Sequence, residues 1–380
     1  MPDFMISDEE LLLKKEIRRF ALSELEPHAS EFDSSGKFPR KNIEGLANLG
    51  LTGLTIDEKY GGVGGTSKQL AIVAEEIARG CGSTSVIFLA HLSLCTQFIN
   101  TYGTEEQKTK YLSDLISAKS IGAFALTEPG AGSDSAKIAT SLHKVGGEYL
   151  LNGTKLYTTN AKEADVFVII ANRDIRLNRK GIVALILERG AEGFVINPQS
   201  GKMGMRASST AELVFNNTPV PEKNIIGEGA DGFKKLMDIL NGSRIGIAAQ
   251  GVGLAQAAYD VSVSYAKQRS AFGNKLDQFQ AIQWMIADMA TDIEASRMLV
   301  YKAAEYKDDG LKYAKEASMA KLLSSRVAVE SANKAVQIHG GLGYFAPTVA
   351  ERLYRDSKVT EIYEGTSEIQ RMIISKEALK

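Results

Sequence analysis

The runs IGAFALT (121–127), EYLLNGTKL (148–156), VFVIIAN (166–172), GIVALILER (181–189), GFVINPQ (193–199) and AELVFNN (211–217) decide how this 380-residue chain is read. Each is short and β-rich, and Gly, Asn and Asp separate them at regular intervals. That pattern predicts a small all-β domain, a sandwich or barrel, over about residues 121–230.

On either side the pattern changes. The eight prolines, at 2, 27, 39, 129, 198, 219, 221 and 347, leave two long proline-free tracts, about 40–128 and 222–346. Both carry helical periodicity. Upstream, Ser7-Asp8-Glu9-Glu10 reads as a capping box before LLLKKEIRRFALSELE. Lys68 to Arg79 repeats apolar residues at helical spacing, and Thr104-Glu105-Glu106-Gln107 is a second capping box. Residues 1–120 are therefore expected to be all α. Downstream, long helices are expected over about 232–268, 278–307 and 311–338. In the second, Ile282, Trp284, Met285, Met289 and Ile293 form an apolar stripe. All three exceed the ~12-residue mean helix, so residues 231–380 read as a four-helix-type bundle, with part of its face covered by another subunit. The whole is mainly α with a central β domain.

Composition narrows the chemistry. Lys plus Arg is 45 and Asp plus Glu is 46, for a net charge of −1. A near-zero balance offers no broad pull on nucleic acid or an anionic membrane. Two cysteines do not make a disulfide framework and suggest a reducing compartment. The four His and two Cys form no cluster with metal-ligand spacing, so no metal is expected. With so little imidazole, proton chemistry is expected to rest on a carboxylate, Tyr or Lys. The acidic start MPDFMISDEE shows no apolar signal region. The uncharged run Ile245–Tyr259 falls short of the roughly 20 residues needed to span a bilayer. A cytoplasmic protein, or a processed mitochondrial matrix protein, is expected.

Gly227-Glu228-Gly229-Ala230-Asp231-Gly232 fits G-x-G-x-x-G, but Pro219 and Pro221 crowd the approach and the acids would repel a pyrophosphate. A turn before a helix is the better reading. The chain has no G-x-S-x-G, no Walker loop and no H-E-x-x-H.

Five other stretches carry polar or aromatic groups at element ends. AFALTEPGAGSDSA (123–136) runs from an apolar strand into a loop that allows close backbone approach to a polar ligand, or simply turns. Leu151-Asn152-Gly153 carries a hairpin signal before Tyr157-Thr158-Thr159. Arg269-Ser270-Ala271-Phe272-Gly273 ends a long helix with a cation and an aromatic, suited to phosphate and adenine or to ordinary capping. Gln337-Ile338-His339-Gly340-Gly341 ends the next helix, with His339 read as a packing residue. Ile362-Tyr363-Glu364-Gly365-Thr366-Ser367-Glu368-Ile369-Gln370 places a carboxylate just before a helix start. Ser367 and Gln370 read there as a capping box, with Thr366 as another N-cap. Burial at that junction would raise the Glu364 pKa toward a useful base; a solvated loop Glu is the plain alternative.

Taken together, AFALTEPGAGSD (123–134), LNGTKLYTTN (151–160), RSAFG (269–273), VQIHGGLGY (336–344) and RDSKVTEIYEGTSEIQR (355–371) resemble the acyl-CoA dehydrogenase family, nearest its short-chain, butyryl-CoA-type branch. The resemblance spans essentially the whole chain. It implies non-covalent FAD between the β domain and the C-terminal bundle. Thr127 and Ser133 match loop positions near flavin and CoA, and Tyr157 and Thr159 match positions beside the flavin ring. Arg269, Phe272 and Gln280 match pyrophosphate and adenine contacts across a subunit boundary. Gln337 and Gly341 match a second contact from a neighbouring subunit. Thr366 and Glu368 match a further dinucleotide contact. Arg244 matches a position near the CoA end; Ser133, Tyr363 and Gly365 are further expected substrate contacts. Residues around His91–Asn100 are expected at the far end of the acyl pocket.

Glu364 matches the catalytic base. The implied reaction removes the α-proton at Glu364 while flavin N5 takes the β-hydride, leaving a trans-2-enoyl-CoA. The thioester carbonyl is expected to accept bonds from the Glu364 N–H and a flavin ribityl hydroxyl. Two departures stand out. Tyr157 replaces a Trp common beside the flavin. Ser243 stands where some relatives carry their base, and it cannot act as one. The implied partners are an acyl-CoA, an electron-transfer flavoprotein as acceptor, and further copies of the chain in a homotetramer. Rival readings are an oxidase that uses O₂, or a non-enzymatic flavoprotein or DNA-binding relative.

Overall fold

The computed structural model of the chain describes residues 6–226 and 231–380. Gly227 to Ala230, the first four residues of the Gly-rich hexapeptide, lie outside the described residues. Seven α-helices come first: α1 (Asp8–Phe20), α2 (Ala29–Ser35), α3 (Arg40–Asn48), α4 (Ser67–Gly80), α5 (Gly82–Leu89), α6 (Gln97–Tyr102) and α7 (Glu105–Ile116). Both expected capping boxes form, at Ser7–Glu10 and Thr104–Gln107. A third, Thr66–Gln69, starts α4.

An uncharged run longer than Ile245–Tyr259 extends from Gly80 to Thr104. Within it, Gly82–Tyr102 is apolar and long enough to cross a membrane, but 94% of that window is buried inside the protein. It is core. Residues Ala90–Thr96 within it are π-helical and buried. There His91 accepts from the Gly122 N–H at Nδ1 (3.0 Å) and reaches Leu115 O from Nε2 (2.9 Å). Only the neutral ring makes both bonds, and burial lowers its pKa to about 4. His91 thus stitches the helices to the first strand.

The central strands are β1 (Gly122–Ala125), β2 (Ser141–Val145), β3 (Glu148–Thr159), β4 (Val166–Asn172), β5 (Ile182–Glu188), β6 (Phe194–Gln199), β7 (Thr210–Val220) and β8 (Ile225–Ile226). All six expected runs are strands; β2 and the two-residue β8 are additional. Among the described residues the order is β6-β7-β3-β2-β4-β5-β8, with β1 parallel to β4. β2 meets β4 at a single pair, Ser141–Asn172. Two strand groups therefore hinge there and face each other. Phe167 of β4 meets Phe194 of β6 edge-on at 5.1 Å, and Phe194 stacks on Phe215 of β7 at 5.2 Å. Each such pair adds about 1 kcal/mol beyond its area.

A local expectation fails in the sheet. Asn152-Gly153 does not turn a hairpin. It lies inside β3, where the register with β7 shifts between Leu151 and Gly153. A Cβ on Gly153 (φ +141) would sit 2.7 Å from Thr140 Cα. The glycine serves a bulge and a close backbone approach. The β2–β3 turn is made by Gly146 and Gly147, both at positive φ.

The chain then returns to helix: α8 (Gly232–Gln268), α9 (Gln280–Asp308), α10 (Ala314–His339), α11 (Val349–Ser357) and α12 (Ser367–Ala378), with a small hairpin of β9 (Ser270–Ala271) and β10 (Asn274–Lys275) after α8. The 37-residue α8 is about 55 Å long. It is the axis of the molecule, packed by α4, α9 and α10. A Cβ on Gly253 would come within 2.2 Å of Glu75 O, so α4 and α8 meet as closely as backbones allow. Ion pairs tie other elements of this core: Arg297 of α9 to Glu75 of α4 at 3.0 Å, and Arg355 of α11 to Asp33 of α2 at 2.6 Å.

Candidate active site

The segment after α11 brings Glu364 against the middle of α8. Glu364 has φ +53 and Gly365 has φ +96. Left-handed backbone at a glutamate is strained, and a surrounding that over-determines it is needed to hold it. Three side-chain donors from three helices do so. Arg244 Nε of α8 donates to Glu364 O (3.1 Å). Gln370 Nε2 of α12 donates to Gly365 O (2.8 Å) and lies 3.4 Å from Glu364 O. Lys321 Nζ of α10 donates to Gly365 O (2.8 Å).

The Glu364 carboxyl is treated differently. Ser243 Oγ donates to Oε2 at 2.6 Å. Arg244 and Lys321 direct their hydrogen bonds to this loop at main-chain carbonyls, so they act on the carboxyl mainly through space. Burial pushes its pKa up; the Ser243 bond, then Arg244 and Lys321, pull it partly back, and burial wins. Tyr363 donates its hydroxyl to Gln250 Oε1, and Gln250 Nε2 reaches Gly82 O at 3.3 Å. The loop is thereby tied to the N-terminal helices. Thr366 is the N-cap of α12, accepting from the Ile369 N–H. The expected Ser367–Gln370 box is absent: helix begins at Ser367 itself, and the Gln370 side chain is committed to the loop carbonyls.

The β domain supplies a second group. The Leu156 N–H donates to Thr127 O at 2.7 Å, joining the 123–136 segment to β3. Beneath it Lys155 Nζ donates to Glu128 Oε1 (2.6 Å) and Leu126 O (3.0 Å). Lys155 is fully buried, and burial lowers its pKa to about 8. Burial would raise Glu128, but Lys155 and the Ala139 and Thr140 N–H bonds outweigh it and hold the carboxyl below its ordinary value. Tyr157 has φ +55 and is 66% exposed. Thr159 is half-buried and Ser133 exposed.

The third group lies at the far end of α8. Arg269 is its C-cap. Phe272 (φ +51) and Gly273 (φ +82) turn the β9–β10 hairpin, and Phe272 is 94% exposed. Gln280 opens α9. Tyr265 of α8 stacks on His339 of α10 at 4.3 Å, so Gln337 and Gly341 lie at the same end of the bundle. Twenty-five residues of helix separate Arg244 from Arg269, about 37 Å at 1.5 Å per residue. Within one chain the Glu364 loop and this end are therefore far apart.

The residues present fit a flavin dinucleotide. Gly130 and Gly132 have open space where a Cβ would stand. The acids of that loop are neutralised, Glu128 by Lys155 and Asp134 by Lys137 at 3.0 Å. Tyr157 and Phe272 present uncovered rings. Sequence reasoning missed Lys321, Gln250 and the Lys155–Glu128 pair. For Lys321 there was a signal: it stands alone among Ala317, Ala320 and Ser324 on a buried helical stripe.

Three family models match in chain order: the N-terminal domain of acyl-CoA dehydrogenase over residues 7–119, its middle domain over 123–218 and its C-terminal domain over 230–379. A short-chain specific acyl-CoA dehydrogenase of Clostridium acetobutylicum is 46% identical over 98% of both chains. The structure of butyryl-CoA dehydrogenase from Megasphaera elsdenii superposes with a TM-score of 0.96 at 41% identity over the whole of both chains. A chain from a structure described as the electron transferring flavoprotein of Acidaminococcus fermentans, concerned with flavin-based electron bifurcation, gives 0.97 at 42% identity, again over both whole chains.

Proposed function

The chain belongs to the acyl-CoA dehydrogenase family and is an FAD-dependent oxidoreductase, and from that premise we propose that it converts a short-chain acyl-CoA to the trans-2-enoyl-CoA with Glu364 as the base. The observation that carries this reading is the raised Glu364 carboxyl, held on a left-handed loop with one neutral donor, Ser243. A carboxylate short of donors and lifted by burial is suited to accept a proton from carbon.

Bound FAD supplies the hydride acceptor that this chain's side chains lack. Thr127, Ser133, Tyr157, Thr159, Thr366 and Glu368 are the residues proposed to hold it in one chain. Arg269, Phe272, Gln280, Gln337 and Gly341 are proposed to hold its far end from a neighbouring copy. The ~37 Å along α8 supports that division, as do the exposed Phe272, Trp284, Tyr344 and Phe345 of the bundle. A homotetramer in which sites are shared follows from the same reading. Arg244 is proposed near the CoA end, with Ser133, Tyr363 and Gly365 as further substrate contacts. The Glu364 N–H is proposed to polarise the thioester carbonyl. The Tyr363–Gln250–Gly82 chain of bonds crosses from the loop through α8 to the N-terminal helices two turns beyond Ser243, which supports a short acyl group. The acceptor protein is proposed to be an electron-transfer flavoprotein. Free, buried Cys81 and Cys95 suit a reducing compartment such as the cytoplasm or matrix.

Anaerobic titration of the purified yellow protein with straight and branched acyl-CoAs of increasing length tests the reading. Butyryl-CoA is expected to bleach the flavin most readily. A flavin left unbleached by every acyl-CoA would overturn the reading.

A further inference from the structure

Lys321 is the least explained charge near the loop. It is fully buried in the middle of α10. Among the described residues no carboxylate lies within ion-pair distance of it; its side-chain hydrogen bond goes to Gly365 O at 2.8 Å. Removing an ammonium from water without a paired anion is expensive, and an apolar side chain would pack this stripe of Ala317, Ala320 and Ser324 at no such cost. Burial lowers its pKa to about 8.

What Lys321 faces gives the charge a use. The groups acting on it are Glu364 and Glu361 from the loop and the turn before it, Arg244 from α8 and Glu368 from α12. The groups acting on the Glu364 carboxyl are Ser243 and Arg244 from α8 and Lys321 from α10. Lys321 thus touches the base twice, by gripping the next residue's carbonyl and by its field.

We propose that Lys321 is a positioning residue for the base: its bond to Gly365 O holds the left-handed Glu364–Gly365 turn, and its charge sets the proton affinity of Glu364. The inference rests on the dehydrogenase reading above. Gln370 shares the grip on Gly365 O, and Arg244 holds the neighbouring carbonyl, so the loop survives loss of Lys321 while its aim and its titration change. Removing the positive charge makes the ionised carboxylate less favourable. The acid limb of the rate profile then moves to higher pH.

The test compares wild type with Lys321→Met, Lys321→Gln and Lys321→Arg. Anaerobic flavin bleaching by butyryl-CoA is followed across pH, with FAD content and thermal midpoint measured on the same samples. Proton removal alone is read as exchange of α-hydrogens into deuterated water, using a 3-thia-acyl-CoA that has no β-C–H to give up as hydride. Lys321→Met is expected to keep FAD, to slow bleaching and exchange at least tenfold near neutral pH, and to shift the acid limb of both upward. Lys321→Gln, which can donate but carries no charge, is expected to show the shift with a smaller loss in the plateau. Lys321→Arg is expected to restore the wild-type limb. An unshifted limb in Met and Gln variants, whatever their stability, overturns the proposal. Should the Met variant fail to fold, the Gln and Arg pair decides. A wild-type protein that butyryl-CoA does not bleach would count against the dehydrogenase reading instead.

Discussion

The Ser243 hydroxyl lies 2.6 Å from Oε2 of Glu364, across 121 positions of sequence. Among the described residues it is the one hydrogen bond to that carboxyl. The cations nearby, Arg244 and Lys321, are bonded to the carbonyls of Glu364 and Gly365 instead. A direct ion pair would hold the carboxylate ionised and weakly basic. This arrangement fixes the backbone with charge while leaving the side chain basic.

Replacing Ser243 with Ala removes a bond that favours the ionised carboxylate. The folded-state pKa of Glu364, already raised, should rise further. A hydrogen bond to a charged group contributes about 1.5 kcal/mol or more, which is about one pKa unit. The acid limb of anaerobic flavin bleaching should move up by that amount in Ser243→Ala and stay in place in Ser243→Thr. A pH profile of the bleaching rate measures both.

Gly365 carries φ +96, and a Cβ there would lie 2.8 Å from Gln370 Nε2. Gly365→Ala should strain the backbone by about 1–3 kcal/mol and push away the amide that holds the Gly365 carbonyl. The expected result is a lower thermal midpoint and at least tenfold slower bleaching with FAD retained. Rapid-mixing kinetics beside a flavin content measurement separates the two effects.

Lys155 and Glu128 form a buried pair under the 123–136 segment. Lys155→Met leaves Glu128 buried without its cation, at a cost of about 3–5 kcal/mol. The segment bearing Thr127 and Ser133 should loosen and FAD should be lost on gel filtration. Adding Glu128→Leu should recover much of the stability, since an apolar pair can replace a buried ionic one. Thermal melts of the single and double variants give the coupling.

Phe272 is almost wholly exposed in one chain, so Phe272→Ala should change the stability of the chain's own fold by less than about 0.5 kcal/mol. It and Arg269→Ala should nevertheless lower FAD retention and weaken assembly. Sedimentation and flavin content, before and after dilution, check this.

The sequence made the architecture plain where one period dominates. α8, α9 and α10 fall within a few residues of their expected bounds, because long amphipathic helices repeat their signal many times. All six β-rich runs are strands. Local signals with two meanings misled: Asn152-Gly153 can turn a hairpin or serve a bulge, and only the Thr140 backbone beside it selects the bulge. Ser367 and Gln370 have capping spacing, but Gln370 finds nearer partners in Glu364 O and Gly365 O. Glu364 was legible through its setting before a helix and a glycine. Its controls were not, since Ser243, Lys321 and Glu364 are brought together only by the packing of α8 against α10. Lys155 was equally hidden, its partner lying 27 positions earlier.

The central claim is that Glu364 removes the substrate proton. Glu364→Gln keeps the side chain's size and its ability to bond Ser243 while removing the base. Anaerobic titration of that variant with butyryl-CoA should leave the flavin yellow although both FAD and acyl-CoA remain bound. Bleaching at the wild-type rate would contradict the account.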